Sequence, residues 1–230
     1  MHVLVITDVW PPPSEPSAGC FVKEQVDDLR RCDFWLFSMR FSKYGLEPPW
    51  CSALTQGQAA SVLVRAWIRT GDDRFAEHAR TAIRPLTGVA PAFRLLVYTA
   101  DGPALEECRT ATPSHVLNGW IYALWGLADV ATALGDEQAR KTFEDSTYAL
   151  IRQLPTYDLG WRSLYSRYRL PAPDIAKPFY HRLHVAQLIA MSRLTRQKEF
   201  ELVAKQWAAY DARIRAARVI AHKAAQMVIR

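Results

Sequence analysis

Two adjacent carboxylates, Glu106 and Glu107, stand ahead of Pro113-Ser114, where the chain enters a helix. A pair of acids in a loop is ordinarily solvated. Buried beside a tyrosine or an arginine, one of them would shift its pKa and either act as a base or orient one. Asn118 falls in the first turn of the next helix. Its amide suits a sugar hydroxyl or a carboxylate, or else the backbone of the loop. Tyr165 follows Gly160-Trp161 in a stretch dense with Arg162, Arg167 and Arg169. Guanidinium forks bind carboxylates and sulfates through paired hydrogen bonds, so this is where an acidic group would be held. Tyr180, His181 and His184 open a later helix. The two histidines are three apart and share a face, the spacing of a metal pair, but no third ligand accompanies them and no metal is expected. Upstream, Trp50 is an apolar platform that either stacks on a pyranose ring or fills the core, and Trp120 poses the same choice. Gln56 and Gln58 come next. Two positions apart on a helix they do not share a face, so one at most meets a ligand.

These residues are far apart in sequence, and each group sits where a loop hands over to a helix. Junctions at one end of a helical array can face one cavity, so a mainly α scaffold is able to gather them. From Leu54 the apolar spacing is helical, and a hairpin pattern repeats. Leu54 to Arg69 and Arg74 to Leu86 flank a turn at Gly71-Asp72; His115 to Leu134 and Glu137 to Leu154 flank Gly135-Asp136; Ala176 to Leu194 and Gln197 to Arg218 form a third pair. Glycine there suits a left-handed helix end, and the aspartate after it suits the cap of the next helix. Between the first two pairs, Phe93 to Tyr98 reads as a short strand, one arm of a hairpin. Ahead of all this, Val3 to Thr7 reads as a buried strand stopped by Pro11-Pro12-Pro13, and Phe21 to Arg31 as a helix. A single parallel strand has no partner, so this head is a fragment of some other architecture. The expected fold is mainly α, helical hairpins forming an α/α toroid or part of one, with a short β-loop-α fragment in front.

With 230 residues, half of them hydrophobic and 23% charged, the chain has material for a core and does not resemble a disordered one. No apolar run approaches the roughly 20 residues of a membrane-spanning helix, and Met1 to Ile6 lack the basic flank and length of a signal peptide. A cytoplasmic protein is expected. Cys20, Cys32, Cys51 and Cys108 are scattered, without the spacing of a zinc site. The net charge of +6 permits an anionic partner, although much of the excess lies in Arg213, Arg215, Arg218, Lys223 and Arg230 near the end. No nucleic-acid reading motif accompanies it.

Taken together, Pro-Pro-Trp-Cys-Ser-Ala-Leu-Thr-Gln-Gly-Gln at 48–58, Glu-Glu-Cys at 106–108, Pro-Ser-His-Val-Leu-Asn-Gly-Trp at 113–120, Leu-Pro-Thr-Tyr-Asp at 154–158 and Phe-Tyr-His-Arg-Leu-His at 179–184 resemble the C-terminal domain of D-glucuronyl C5-epimerases. The resemblance runs from about Asp33 to Tyr210. It implies an isomerase of uronate polysaccharides that converts D-glucuronic to L-iduronic acid residues, removing the proton at carbon 5 and returning one to the opposite face. By that resemblance Tyr165 and Tyr180 are the proton-transfer groups, with Glu107 and Asn118 in support. Cys108 stands where the family carries a third tyrosine. A thiol titrates closer to neutrality than a phenol but is shorter, so impaired activity is the expectation there. Ser166 stands where an acidic residue usually follows Tyr165. The head of the chain, with Thr-Asp-Val-Trp-Pro-Pro-Pro and Ala-Gly-Cys-Phe-Val-Lys-Glu-Gln-Val, is similar to the start of a GT-B glycosyltransferase of the family 4 type. Residues 1–32 and 33–230 are thus expected to be of separate origin. The implied partner is an acidic, uronate-containing polysaccharide, with no cofactor, no nucleic acid and no membrane span; self-association into a homodimer is left open. Two other readings stay beside the epimerase: a non-catalytic carbohydrate-binding toroid, and a polysaccharide lyase that follows the same proton removal with β-elimination.

Overall fold

A computed structural model describes residues 35–210, and its elements are mainly helical. Helix α1 (Ala53–Thr70) pairs with α2 (Asp73–Thr87), α3 (Leu117–Leu134) with α4 (Glu137–Gln153), and α5 (Pro178–Thr195) with α6, helical over 198–210. The turn chemistry follows from the residue types. Gly71 and Gly135 close their helices in the left-handed region, at φ 67° and 64°, where a Cβ would be strained. Asp72 then accepts from the Arg74 N–H and Asp136 from the Ala139 N–H, each supplying a partner to an orphan donor of the next helix. The third turn puts Arg196 into the same region at φ 61°, at a local cost of roughly 1–2 kcal/mol.

The first helices of the hairpins lie side by side in chain order, α1 against α3 and α3 against α5, while α2 and α4 cover them from one side. At the α1–α3 crossing the backbones themselves meet. A Cβ on Gly126 would stand 2.8 Å from the Gly57 carbonyl carbon, and one on Gly57 would stand 2.7 Å from the Ala123 Cα. Helix α3 is the central element: Leu117, Trp120, Ile121, Leu124 and Leu127 are fully buried. That position explains its nearly unbroken apolar sequence, since a helix covered on most sides has no polar face to keep. The mainly α class expected from the sequence is what the structure has; three hairpins in this order do not by themselves close a ring.

Two small antiparallel ribbons complete the described residues. Strand β1 (Leu36–Phe37) pairs with β2 (Trp50–Cys51), and β3 (Leu96–Thr99) pairs with β4 (Gly102–Leu105) in the register Leu96–Leu105 to Thr99–Gly102. The strand expected from Phe93 starts later, because Pro91–Phe93 winds into a 3-10 turn. Helix α3 also starts two residues after the expected His115, for a reason that lies in the site. Helix α4 passes at its end into a 3-10 turn, Leu154–Tyr157. The β-loop-α head, the boundary at residue 32 and the basic residues from Arg213 onward lie outside the described residues. Among the described residues no helix is long and apolar enough to cross a membrane.

Candidate active site

The Glu106-Glu107 pair is drawn inward at the junction of α1 and α3, and the two carboxylates part company there. Glu106 accepts from the Ser114 N–H at 2.6 Å, the Ser114 hydroxyl at 2.8 Å and the His115 N–H at 3.0 Å, and its Oε1 lies 2.6 Å from His115 Nδ1. Burial pushes its pKa up, but the hydrogen bonds and charge of His115 and the Ser114 hydrogen bonds outweigh it and hold the carboxyl below its ordinary value. This grip bends His115 to φ 44°, and the Tyr157 hydroxyl secures the bend by donating to the His115 carbonyl at 2.8 Å. A non-glycine residue held left-handed cannot begin an α-helix, so α3 starts at Leu117. Glu106 is therefore an ionised structural anchor.

Glu107 is the titratable member. The Ser52 hydroxyl donates to its Oε1 at 2.7 Å, and the Ser52 Oγ itself accepts from the Thr55 N–H as the cap of α1. The carboxylate rests on the first turn of α3 in space left by Gly119, where a Cβ would stand 2.9 Å from the Glu107 Cδ and overlap Oε2. Glu107 as a residue is only half-buried, yet Oε2 is fully buried and has no hydrogen-bond partner. Burial pushes its pKa up to about 7, with the charge of Glu106 adding to the rise, against the Ser52 hydroxyl and the Leu54 N–H. Half-ionised near neutrality, it is suited to exchange a proton or to steer one.

Tyr165 is positioned by main chain on both sides. Its carbonyl accepts from the Leu117 N–H at 3.1 Å, one of the orphan donors of α3, and its own N–H donates to the Asp174 carbonyl at 2.6 Å. Tyr180 stands in the first turn of α5, and the two rings meet edge to face with centroids 4.7 Å apart. The two phenol rings are thus in direct contact. Burial, then the negative charge of Glu107 and the neighbouring Tyr44, Tyr180 and Asp174, push the Tyr165 phenol well above its ordinary range, so it keeps its proton at neutral pH.

Three residues of this site were not among the sequence candidates. Lys43 places Nζ 4.6 Å from the Tyr165 ring centroid and 5.2 Å from that of Tyr44, and pairs with Asp174 at 2.8 Å. Asp174 in turn accepts from the Ser166 hydroxyl. The carboxylate expected directly after Tyr165 is therefore present in space, brought in from eight positions along the chain. Lys43 and Tyr44 belong to a 3-10 turn (Ser42–Tyr44) closed by Gly45 at φ 63°. The glycine signals the turn, but nothing in the spacing tells where the turn docks.

The other sequence candidates are distributed more widely. Cys108 is fully buried in a small cluster with Tyr44, Leu46 and Val116, and burial, then Glu107 and Glu106, push its thiol far up. It keeps its proton and is shielded, which removes it from proton transfer. Trp50 packs on the same cluster, stacks on Phe37 at 4.1 Å and donates its N–H to the Met39 carbonyl. Trp120 is a core residue, bonded to Ser146 at 2.8 Å. As the helical geometry requires, the glutamines diverge: Gln56 is buried and donates to the Trp35 carbonyl, whereas Gln58 lines a groove of about 640 Å³ with Arg65, Tyr122, Trp125 and Asp129. Asn118 is buried; its main-chain carbonyl accepts from the Gln187 side-chain amide at 3.2 Å, while its side-chain Oδ1 has no hydrogen-bond partner.

The expected arginine clamp does not assemble. Arg167 donates to Gln153 at 2.7 Å and lies over the Tyr157 ring, Arg162 is nearly buried with its guanidinium 6.0 Å from the Trp161 ring, and Arg169 is exposed. His181 and His184 are core residues rather than rim residues. The Ser163 N–H donates to His181 Nδ1 at 3.1 Å, which leaves the proton on Nε2 to bond the Trp207 carbonyl at 3.0 Å and tie α5 to α6. His184 Nδ1 shares the Ser163 hydroxyl at 2.9 Å, and burial, then His181, push its pKa down to about 3. Among the described residues no three His, Cys, Asp or Glu side chains gather as a metal site.

Comparison with known proteins bears on this arrangement. The chain is 28% identical over 192 residues to a D-glucuronyl C5-epimerase of Caenorhabditis elegans, covering 73% of this chain and 30% of the relative. It is 25% identical over 177 residues to an uncharacterized protein of Methanocaldococcus jannaschii, covering 75% of this chain and 56% of the relative. The chain thus spans about a third of the one and about half of the other. The profile of the D-glucuronyl C5-epimerase C-terminus family matches residues 31–209, the stretch that carries every site residue described above, and the chain belongs to that family.

Proposed function

We propose that this chain acts as an epimerase on a uronate-containing polysaccharide, inverting carbon 5 of D-glucuronic acid residues to give L-iduronic acid. The observation that carries the reading is the joined pair Tyr165–Tyr180 with the Lys43 ammonium 4.6 Å from the Tyr165 ring centroid and Glu107 acting electrostatically on the same phenol. Carbon 5 carries the carboxylate, so breaking its C–H bond moves an electron pair toward that group. A cation at the carboxylate stabilises the charge where it develops. Lys43 is suited to this, since its side chain is partly exposed while its ring contacts hold it in place. Tyr180, acting as its phenolate, takes the proton and becomes the phenol, and Tyr165, whose proton is firmly held, gives its own to the other face and is left as the phenolate. Nothing is oxidised or reduced, and both phenols recover their starting state by exchange with water, with Glu107 as the buried group that buffers the charge beside them.

The test is incubation with a desulfated uronate polymer in deuterated water. Deuterium at carbon 5, with iduronate among the products, is the expected result; no label from a folded protein excludes catalysis. One observation favours a second reading: with Cys108 sealed and its thiol protonated, the site holds one proton-active group fewer than the resemblance implies. A binding module would retain affinity for the polymer without label. A lyase would instead release an unsaturated product that absorbs in the ultraviolet.

A further inference from the structure

Lys43 reaches the site from a 3-10 turn far away in sequence, on a long flexible stem of which only a few rotamers lie over the Tyr165 ring. The Asp174 carboxylate selects among them: its Oδ2 lies 2.8 Å from the ammonium, with the two side chains 15% and 34% exposed. Asp174 is itself held through main chain and side chain alike. Residues 163–165 and 174–176 run antiparallel about the Leu164–Ile175 bridge, the Ala176 N–H donating to the Ser163 carbonyl at 3.0 Å and the Tyr165 N–H to the Asp174 carbonyl at 2.6 Å. The buried Ser166 hydroxyl donates to the same Oδ2 that meets Lys43. One residue thus sets both the backbone of Tyr165 and the cation over its ring. An ammonium carries three donors, so a bond to Asp174 leaves others for an incoming carboxylate.

We propose that Asp174 is a positioning residue: it holds the Lys43 ammonium over Tyr165, where the cation meets the carboxylate of the uronate. The proposal rests on the epimerase reading above and adds a residue to it. A cation stabilises developing charge only where it is already in place, since moving it there during the reaction costs part of the gain. An ion pair this close to solvent adds little to stability, so its loss belongs in catalysis rather than in unfolding.

Asp174→Asn keeps the shape, the main-chain bond to Tyr165 and an oxygen for Ser166, and removes the charge. Carbon-5 exchange with the uronate polymer is read as kcat and KM, beside the thermal midpoint, for the parent, Asp174→Asn, Lys43→Met and the double variant. Asp174→Asn should lower kcat by about 10- to 100-fold, the scale of a misplaced group at a reacting centre, with the thermal midpoint unchanged. In the Lys43→Met background it should cause no further fall, because it acts only through the cation. Unchanged kcat in Asp174→Asn of an active parent overturns the role of Asp174 and leaves the epimerase reading intact. A further fall of equal size in the Lys43→Met background does the same, as does a lower thermal midpoint in Asp174→Asn, because the carboxylate would then be serving the fold. A parent with no exchange overturns both.

Discussion

Replacing Glu107 by glutamine should change how stability depends on pH, in a direction opposite to that of most carboxylates. The folded state raises this pKa from 4.5 to about 7, so it binds the proton more tightly than the unfolded chain does. The stability this confers is complete below about pH 4.5 and is lost as the pH rises through about 7. A rise of that size corresponds to roughly 3 kcal/mol, of which about 2–3 kcal/mol should disappear between about pH 5 and pH 8. Glutamine keeps the shape and an oxygen to accept from Ser52, but places no charge against Gly119 and the buried end of α3. Urea unfolding of both proteins at several pH values provides the measurement. His184, with its pKa pushed down to about 3, loses stability in the other direction as pH falls below 6.5, but it is common to both proteins and cancels in the difference. The Glu107→Gln variant should therefore gain on the parent by about 2–3 kcal/mol from about pH 5 to pH 8. Parallel curves across that range would mean that Glu107 is fully ionised at neutrality, and its place as a proton-buffering group would be lost.

Two further changes test the packing that holds the site. Gly119→Ala sets a methyl group into the space of the Glu107 carboxylate, which must swing away; the expected cost is about 1–3 kcal/mol in urea unfolding, with carbon-5 exchange abolished. Parental behaviour in both assays would show that the carboxylate does not rest on α3. Gly57→Ala drives a Cβ to 2.7 Å from the Ala123 backbone, where nothing can rotate aside, so about 3 kcal/mol or more should be lost. Val62→Ala, further along α1 and half exposed, should stay within about 0.5 kcal/mol of the parent; equal effects from the two would refute the close crossing of α1 and α3.

The hairpins were legible because each rests on local chemistry. Gly71 and Gly135 tolerate a left-handed φ, Asp72 and Asp136 cap the helices after them, and the apolar content of α3 reflects burial that periodicity records. Gln56 and Gln58 diverged as a step of about 100° per residue demands. The early start expected for α3 failed because a distant carboxylate, Glu106, took the N–H groups of Ser114 and His115. Histidine spacing likewise marked one face of α5 correctly but could not say that the face is covered by α6.

What the residues settled alone was the mainly helical class, the turns and the motifs that carry the family resemblance, since these depend on neighbours a few positions away. Only the tertiary structure separated Glu106 from Glu107 into an ionised anchor and a group titrating near 7, because their pKa values depend on which buried donors each one meets. It alone sealed Cys108, turned the arginines to other partners, and brought Lys43, Tyr44 and Asp174 to Tyr165. A proton-transfer site is defined by distances and desolvation between segments far apart in the chain, and neither is written in the spacing of any one segment.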